Sequence, residues 1–169
     1  MKLPKRNKID KNKNIEFTKK YKISLHQLKP SGFWYSCYDN WYNWIIEEDL
    51  IEFLYKYIHK ININVNIMTD IRNKDKNKLL VIKNIQDLDL FNNIYGVTKK
   101  LPFHVYIDWK KVKQDFGGIE ICPYLHKRRK IYAWYCSWDV ASGCIWNTAS
   151  IIKNTELIYQ KINQKYIPI

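Results

Sequence analysis

A short aromatic segment offers the clearest candidate site for a flat ligand in this sequence. Residues 32–36 read Gly-Phe-Trp-Tyr-Ser, and Trp41, Tyr42 and Trp44 follow within a few positions. This pattern predicts a strand over residues 33–37 that leads directly into an aromatic helix. Rings held in this way form a slot that suits a nicotinamide or a nucleobase. The candidate cofactor-binding residues are Trp34, Tyr35, Ser36 and Trp44. The alternative interpretation is that the rings only fill the core.

The candidate catalytic acid is Glu120, which stands in the segment Gly-Gly-Ile-Glu-Ile at residues 117–121. Alternation along a strand places Ile119 and Ile121 on one face and Glu120 and Cys122 on the other. A carboxylate that faces a cleft can orient a ribose hydroxyl and stabilise a developing positive charge. The alternative is an ordinary charge that faces solvent.

Cysteine and histidine positions do not predict a metal site. Cys122, His126, Cys136 and Cys144 have a spacing that matches no compact zinc motif. The sequence also contains no phosphate-binding glycine loop and no Gly-x-Ser-x-Gly elbow, which excludes the P-loop, kinase and α/β-hydrolase classes. We therefore predict no metal, and we expect free thiols in a reducing compartment.

Basic residues are concentrated at the start of the chain and in one later cluster. The formal net charge is +13, and residues 1–20 carry eight Lys or Arg against Asp10 and Glu16. We predict a basic tail over residues 1–20 and a basic turn over residues 127–130. Cations beside aromatic rings favour a phosphate backbone with stacked bases, so nucleic acid or another polyanion is the expected partner. A codon bias toward lysine is the alternative explanation. The candidate nucleic-acid contacts are Lys5, Arg6, Lys8, Lys11, Lys13, Lys19, Lys20, Lys127, Arg128, Arg129 and Lys130.

Length and pattern predict one α+β domain over residues 21–169 behind the tail. We expect mixed, mainly antiparallel short sheets and a long aromatic helix that runs from about Trp41 to His59. The other predicted strands cover residues 21–28, 61–68, 79–83, 103–107, 118–124 and 131–138, and the other predicted helices cover residues 86–95, 108–116 and 149–162. No apolar run reaches about eighteen residues, and no signal-peptide pattern is present. We therefore expect a cytoplasmic, intracellular protein with no membrane partner.

Three segments together resemble an uncharacterised family of proteins from large DNA viruses and phages. They are Lys-Pro-Ser-Gly-Phe-Trp-Tyr-Ser at residues 29–36, Gly-Gly-Ile-Glu-Ile-Cys-Pro-Tyr at residues 117–124 and Trp-Asp-Val-Ala-Ser-Gly-Cys-Ile-Trp at residues 138–146. The resemblance spans most of residues 28–147. It implies a viral or mobile-element origin, with a virion or a host cell as the location and a virion or other protein complex as a partner.

The chain is also distantly similar to the ADP-ribosyltransferase fold, in its His-Tyr-Glu branch. His26 stands at the position of that branch's NAD-binding histidine, residues 32–36 at its small-residue strand and Glu120 at its catalytic glutamate. The resemblance implies NAD as the cofactor, with His26 on the nicotinamide ribose and with Trp44 and either Trp34 or Tyr35 against the nicotinamide. Glu120 would then stabilise an oxocarbenium-like transition state.

Two functions follow from these observations. The first is an ADP-ribosyltransferase-like enzyme that uses NAD to modify nucleic acid or a nucleic-acid-associated protein. The second is a non-catalytic basic protein that binds nucleic acid in a virion or in genome packaging. The enzyme requires His26, Trp34 and Glu120 to meet at one cleft. It also predicts that Glu120→Gln removes activity without unfolding the protein, and we expect removal of residues 1–20 to cost little stability.

Overall fold

The computed structural model describes residues 2–17, 21, 28–98 and 105–169. The helices in these ranges are α1 (Asn40–Glu47), α2 (Ile85–Tyr95), α3 (Trp109–Asp115), α4 (His126–Arg129), α5 (Ala133–Cys136) and α6 (Thr148–Ile151), with 3₁₀ turns at Ile51–Phe53 and Val65–Ile67. The strands are β1 (Arg6–Asp10), β2 (Phe33–Cys37), β3 (Tyr57–Ile63), β4 (Met68–Thr69), β5 (Asp75–Ile82), β6 (Gly96–Thr98), β7 (Val105–Ile107), β8 (Phe116–Ile121), β9 (Ser142–Ile145), β10 (Ile152–Ile162) and β11 (Lys165–Pro168).

Within the described ranges, nine of these strands form one sheet in the order β11-β10-β3-β1-β2-β9-β8-β5-β4. Neighbouring strands run antiparallel from β11 to β8, whereas β8, β5 and β4 are parallel. Strands β6 and β7 form a separate antiparallel pair. The prediction of a mixed α+β fold with mainly antiparallel pairing is confirmed, although the strands form one large sheet rather than several short ones.

The two faces of the large sheet are covered by different groups of residues. On one face, which we call the helical face, Ile119 and Ile121 of β8 pack with buried side chains of α2, α3 and α5, and Ile9 of β1 packs with Ile45 of α1. On the other face, which we call the far face, Phe33 and Tyr35 pack with Leu79 and Val81 of β5 and with Ile151 of α6. Because successive side chains in a strand point to opposite faces, Trp34 and Ser36 lie on the helical face while Tyr35 lies on the far face.

The basic leader is part of this sheet. Strand β1 lies between β2 and β3, where Asn7 pairs with Ser36 and Ile9 pairs with Ile58. Leu3 and Ile9 are buried. The prediction of a separate tail with little to pack is therefore wrong over residues 3–10. The sequence pattern did not predict this strand because few of its side chains are apolar and inward-facing. Its charged side chains form ion pairs with other residues.

The predicted long aromatic helix is also absent. Helix α1 ends at Glu47, and Asp49 adopts a left-handed backbone conformation with φ of 53°. The segment Tyr57–Ile63, predicted in part as the end of that helix, instead pairs with β1 and β10 as β3. The apolar residues of the predicted helix follow helical spacing but belong to two different elements. Those of α1 pack against β1, and those of Tyr57–Ile63 are part of the sheet.

The other predicted helices and two of the other predicted strands can be compared with the structure in turn. The predicted helices at residues 86–95 and 108–116 are confirmed as α2 and α3, and Asp108 caps α3 by accepting a hydrogen bond from Lys111 N at 3.0 Å. The predicted C-terminal helix is wrong, since Ile152–Ile162 is the long strand β10. The predicted strand at residues 131–138 is wrong as well, because Ala133–Cys136 is a helical turn that buries Trp134 and Tyr135. The predicted strand at residues 21–28 lies mostly outside the described residues.

None of the helices in the described ranges is both long enough and apolar enough to cross a lipid bilayer.

Candidate functional site

The pairing of the central strands places polar side chains in two rows, one on each face of the sheet. On the helical face, Asn7 of β1 pairs with Ser36 of β2, and Ser36 pairs with Ser142 of β9. On the far face, Tyr35 of β2 pairs with Gly143 of β9, and Gly143 pairs with Glu120 of β8. The candidate catalytic acid and the candidate ring-binding residue Trp34 therefore lie on opposite faces.

Glu120 is enclosed by partners on the far face and is fully buried. Arg6 Nε donates to Glu120 Oε2 at 2.6 Å, and Arg6 Nη2 donates to Oε1 at 3.0 Å. Tyr35 Oη donates to Oε2 at 2.7 Å. Lys5 Nζ lies 3.7 Å from Oε1. Both carboxylate oxygens are thus hydrogen-bonded within the protein. The Arg6–Glu120 pair is bidentate, a geometry that makes such ion pairs strong.

The electrostatics of this cluster favour a fixed ion pair. Burial opposes the charged form of Arg6, but the hydrogen bonds and attraction from Glu120 outweigh it and raise the pKa of the guanidinium above its ordinary value. Burial, together with the negative charge of Glu120, raises the pKa of the Tyr35 hydroxyl well above its ordinary value. Tyr35 therefore stays protonated and donates its hydrogen bond, which is a structural arrangement rather than that of a nucleophile or base.

Gly143 is what allows Tyr35 to reach Glu120. The Tyr35 ring extends over β9, and a Cβ atom built on Gly143 would lie 2.3 Å from the Tyr35 hydroxyl oxygen. No side chain larger than hydrogen fits under the ring, so the crossing of Tyr35 over β9 requires glycine at position 143.

We expect Gly143→Ala to destabilise the protein by about 1–3 kcal/mol, because the new methyl group displaces the Tyr35 ring from Glu120. Urea denaturation monitored by circular dichroism measures the change. The control is the double variant Tyr35→Leu/Gly143→Ala, which lacks the ring. If the clash is the cause, the two substitutions together cost less than the sum of the single ones. Additive costs would show that Gly143 is required for another reason.

These contacts correct both sequence interpretations of Glu120. The carboxylate faces neither solvent nor a cleft that it shares with Trp34, because alternation along a buried strand puts it under the Tyr35 ring. His26, the third member of the implied NAD site, lies outside the described residues. The arrangement required for the transferase site is therefore not present between Trp34 and Glu120.

A cavity of about 170 Å³ lies on the helical face, between the sheet and the segment that contains α1 and the following 3₁₀ turn. Asn7, Ser36 and Ser142 form its polar floor, side by side on three neighbouring strands. Its aromatic walls are Trp34, Trp41, Phe53 and Tyr55. Lys8 and Ile9 of β1 and Tyr35 of β2 also border the cavity. The combination of aromatic walls and a few buried polar groups is typical of a binding site for a small planar group.

The cavity overlaps with the predicted slot without matching it. Trp34 and Ser36 are in the wall and floor, and Trp34 Nε1 donates to Pro30 O at 3.2 Å, which fixes the indole. Tyr35 borders the cavity through its strand position, while its hydroxyl is on the far face with Glu120. Trp44 does not line the cavity and packs with its ring centroid 5.5 Å from that of Trp41. Four lining residues were not predicted from the sequence, namely Asn7, Phe53, Tyr55 and Ser142. Asn7 was assigned to a tail, and the two rings were assigned to one continuous helix.

The leader cations predicted to contact nucleic acid have different environments. Arg6 is committed to Glu120, and its side chain is only 10% exposed, so it is not available to a phosphate. Lys8 Nζ lies 3.7 Å from Asp10 Oδ2, and burial lowers the pKa of its ammonium. Lys11 and Lys13 are exposed, and Lys11 Nζ lies 4.8 Å from the Tyr55 ring centroid, at the wall of the cavity. Lys19 and Lys20 are outside the described residues.

The second basic cluster, predicted as a turn over residues 127–130, lies mostly in the short helix α4. Arg128 forms a bidentate ion pair with Asp89, in which Nε donates to Oδ1 at 2.7 Å and Nη2 donates to Oδ2 at 2.6 Å. Tyr132 Oη donates to Oδ1 of the same carboxylate at 2.7 Å. This bond network ties α4 to α2. Lys127, Arg129 and Lys130 are exposed. The cluster thus presents three outward cations and one cation used for packing.

No metal site is formed by the described residues, since no three His, Cys, Asp or Glu side chains among them converge. The four cysteines are free thiols. The thiols of Cys37 and Cys122 interact, and this interaction, with burial, raises the pKa of Cys37. Cys37 and Cys144 are buried, whereas Cys136 is exposed.

The resemblances to a viral protein family and to the ADP-ribosyltransferase fold therefore remain predictions. The fold is a mixed one with a large, mostly antiparallel sheet, and the cavity on its helical face is the site with the most suitable chemistry for a ligand. Neither observation identifies a family. No family of proteins, no curated protein and no solved structure matches this chain significantly.

Proposed function

We propose that this protein binds single-stranded nucleic acid by placing a base in the cavity on the helical face. The observation that carries the proposal is the cavity itself, with four aromatic walls and a buried polar floor beside an exposed lysine. Aromatic side chains bind bases of single strands by stacking, and nearby cations follow the phosphate backbone. The net charge of +13 supports a polyanionic partner of this kind.

The size of the cavity supports one base rather than a larger ligand. An apolar protein cavity of about 150 Å³ holds a benzene molecule, so 170 Å³ suits one aromatic ring with small substituents. Sites for drug-sized ligands or whole cofactors are usually larger, at about 300–1,000 Å³. A base inserted from a strand leaves its sugar and phosphate outside the cavity, where the cations lie.

The position of Lys11 supports a phosphate path at the cavity wall. Its ammonium lies beside the Tyr55 ring and on the exposed loop that follows β1, with Lys13 two residues later. Neither ammonium needs to leave a buried pair in order to meet a phosphate, unlike that of Arg6. The strong salt dependence that phosphate contacts produce is therefore part of the proposal.

We expect Trp41→Leu to weaken binding of a mixed-sequence strand of about ten nucleotides by about 1–3 kcal/mol, the contribution of one stacked base. Fluorescence anisotropy of a labelled strand measures the affinity at several salt concentrations. The slope of log affinity against log salt concentration should not change, because Trp41 contacts no phosphate.

The matched control is Phe17→Leu, which removes an aromatic ring outside the cavity. Phe17 packs on Phe33 with ring centroids 5.2 Å apart, on the far face of the sheet. Its loss should leave the affinity unchanged. Equal weakening by both substitutions, or no binding of any strand by the wild-type protein, would contradict the proposal.

A second candidate function is ADP-ribosyl transfer from NAD, with the nicotinamide ring in the same cavity. One observation favours it, namely that Trp34, Tyr35 and Ser36, three of the predicted cofactor-binding residues, border the cavity. Glu120 has no part in this candidate, because it lies on the far face. A thermal shift with NAD, together with release of free nicotinamide, is the expected result. Absence of both removes this candidate and leaves the nucleic-acid proposal intact.

A further inference from the structure

Three lysines lie in a row at one end of the sheet, next to an aromatic wall of the cavity. Asp10 of β1 pairs with Tyr57 of β3, so Lys11 and Lys56 are the next residues beyond that pair on two neighbouring strands. Lys161 of β10 lies on the other side of β3, where its backbone N donates to Lys56 O at 2.7 Å. We call Lys11, Lys56 and Lys161 the strand-end lysines.

The strand-end lysines belong to the helical face, which is the face that contains the cavity. Side chains two positions apart in a strand point to the same face of the sheet. Lys11 follows Ile9 by two positions, and Lys56 precedes Ile58 by two positions. Both isoleucines are buried in the core cluster that includes α1, on the helical face. The two lysines therefore point to the side of the sheet on which the base is proposed to bind.

Two of the three ammonium groups lie beside Tyr55, which is one of the cavity walls. Lys11 Nζ is 4.8 Å from the Tyr55 ring centroid, and Lys161 Nζ donates to the carbonyl oxygen of the preceding residue, Leu54. Lys11 and Lys56 are exposed, and Lys161 is half-buried. Among the described residues, none of the three ammonium groups forms an ion pair with a carboxylate. Their charge is therefore available to an anionic ligand.

A second segment at the cavity carries the opposite charge. Glu47, Glu48, Asp49 and Glu52 are exposed in the stretch of chain that leads to the cavity wall at Phe53, and this stretch contains no Lys or Arg. Phosphates are repelled by these carboxylates and attracted by the strand-end lysines. A polyanion at the cavity is therefore expected to avoid residues 47–52 and to follow the strand ends.

We infer that the phosphates next to the inserted base run across the ends of β1, β3 and β10, in contact with Lys11, Lys56 and Lys161. This inference rests on the proposed function and defines the path of the nucleic-acid backbone. Neighbouring strands of a sheet are about 4.8 Å apart, so the row of three lysines spans about 10 Å. Stacked nucleotides repeat about every 3.4 Å along one strand, so the row matches about three nucleotides.

The double variant Lys11→Gln/Lys56→Gln tests this path. For a mixed-sequence strand of about ten nucleotides, it should reduce the magnitude of the slope of log affinity against log salt concentration by about 1.4, because two phosphate contacts are lost. Fluorescence anisotropy of the labelled strand measures the slope. The matched control is Lys127→Gln/Lys130→Gln, which removes the same charge from exposed positions at α4 and should leave the slope unchanged. Lys161 is kept because its ammonium also bonds to the backbone.

The fold of both double variants is checked by circular dichroism. If Lys11→Gln/Lys56→Gln does not fold, the single variant Lys56→Gln decides the question, with an expected reduction of about 0.7 in the magnitude of the slope. An unchanged slope in the folded variant would overturn the path. Equal reductions by the strand-end variant and the α4 control would also overturn it, because net charge alone would then determine the slope.

The affinity of Trp41→Leu, measured in the same titrations, separates this inference from the proposed function. Weaker binding by Trp41→Leu, together with an unchanged slope for the strand-end variant, would support base insertion and overturn the path. Unchanged affinity of Trp41→Leu, together with the reduced slope for the strand-end variant, would overturn base insertion and support the phosphate path. The absence of binding by the wild-type protein would overturn both.

Discussion

Glu120→Gln is expected to destabilise the protein by about 3–5 kcal/mol, the cost of removing one partner from a buried ion pair. The substitution keeps the shape of the side chain but leaves the Arg6 guanidinium buried without a counter-charge, and Lys5 only 3.7 Å away from the same position. Urea denaturation followed by tryptophan fluorescence measures the loss. This result is the reverse of the sequence prediction, in which the same substitution left the fold intact.

The matched control is Glu156→Gln, which removes a carboxylate from an exposed pair with Lys60 at 3.3 Å. Pairs of that kind contribute about 0–1 kcal/mol, so this variant should unfold close to the wild type. The double variant Arg6→Met/Glu120→Gln removes both charges and should recover part of the lost stability, because no buried charge remains unpaired. A stable Glu120→Gln protein would show that the pair is not held as the structure has it.

Removal of residues 1–10 is expected to abolish the cooperative fold. The deletion takes out β1 from the middle of the sheet, which leaves β2 and β3 without the backbone partners that Asn7, Lys8 and Ile9 provide. It also removes the buried side chains of Leu3 and Ile9, and it deprives Glu120 of Arg6. Unpaired backbone groups and a buried lone carboxylate each cost free energy that a domain with marginal stability cannot absorb.

The control for this deletion is removal of residues 163–169. It takes away β11, which pairs with β10 at the edge of the sheet formed by the described strands. The shortened protein should still unfold in one cooperative transition, at a lower denaturant concentration. Calorimetry and circular dichroism distinguish the two truncations. If the protein without residues 1–10 unfolds as cooperatively as the control, the leader is not an internal strand.

This expectation changes how nucleic-acid binding by the leader can be tested. A truncation would unfold the domain and lose binding for that reason alone. Point substitutions at exposed positions such as Lys11 and Lys13 keep β1 and are the appropriate test. Each phosphate contact removed should reduce the magnitude of the slope of log affinity against log salt concentration by about 0.7 for a single strand.

Local sequence patterns determined several elements and one part of the site. The strand β2, the core strand β5 and the helices α2 and α3 follow from short apolar runs, from helical spacing and from the cap at Asp108, which act over a few residues. The aromatic segment around Trp34 was recognised as a candidate for a flat ligand, and Trp34 does line the cavity. The alternation that separates Ile119 from Glu120 was also readable, although it did not say what Glu120 faces.

Tertiary structure alone decided the role of Glu120 and the composition of the cavity. Arg6 and Glu120 are 114 positions apart, and their pair exists because β1, β2, β9 and β8 are neighbours in the sheet. The floor of the cavity joins Asn7, Ser36 and Ser142 for the same reason. Strand order and register depend on the packing of the whole chain, and a lysine-rich strand can be internal when its charged side chains find partners on other strands. The sequence by itself therefore determined which residue types were available for chemistry, while the register of the sheet decided which of them meet.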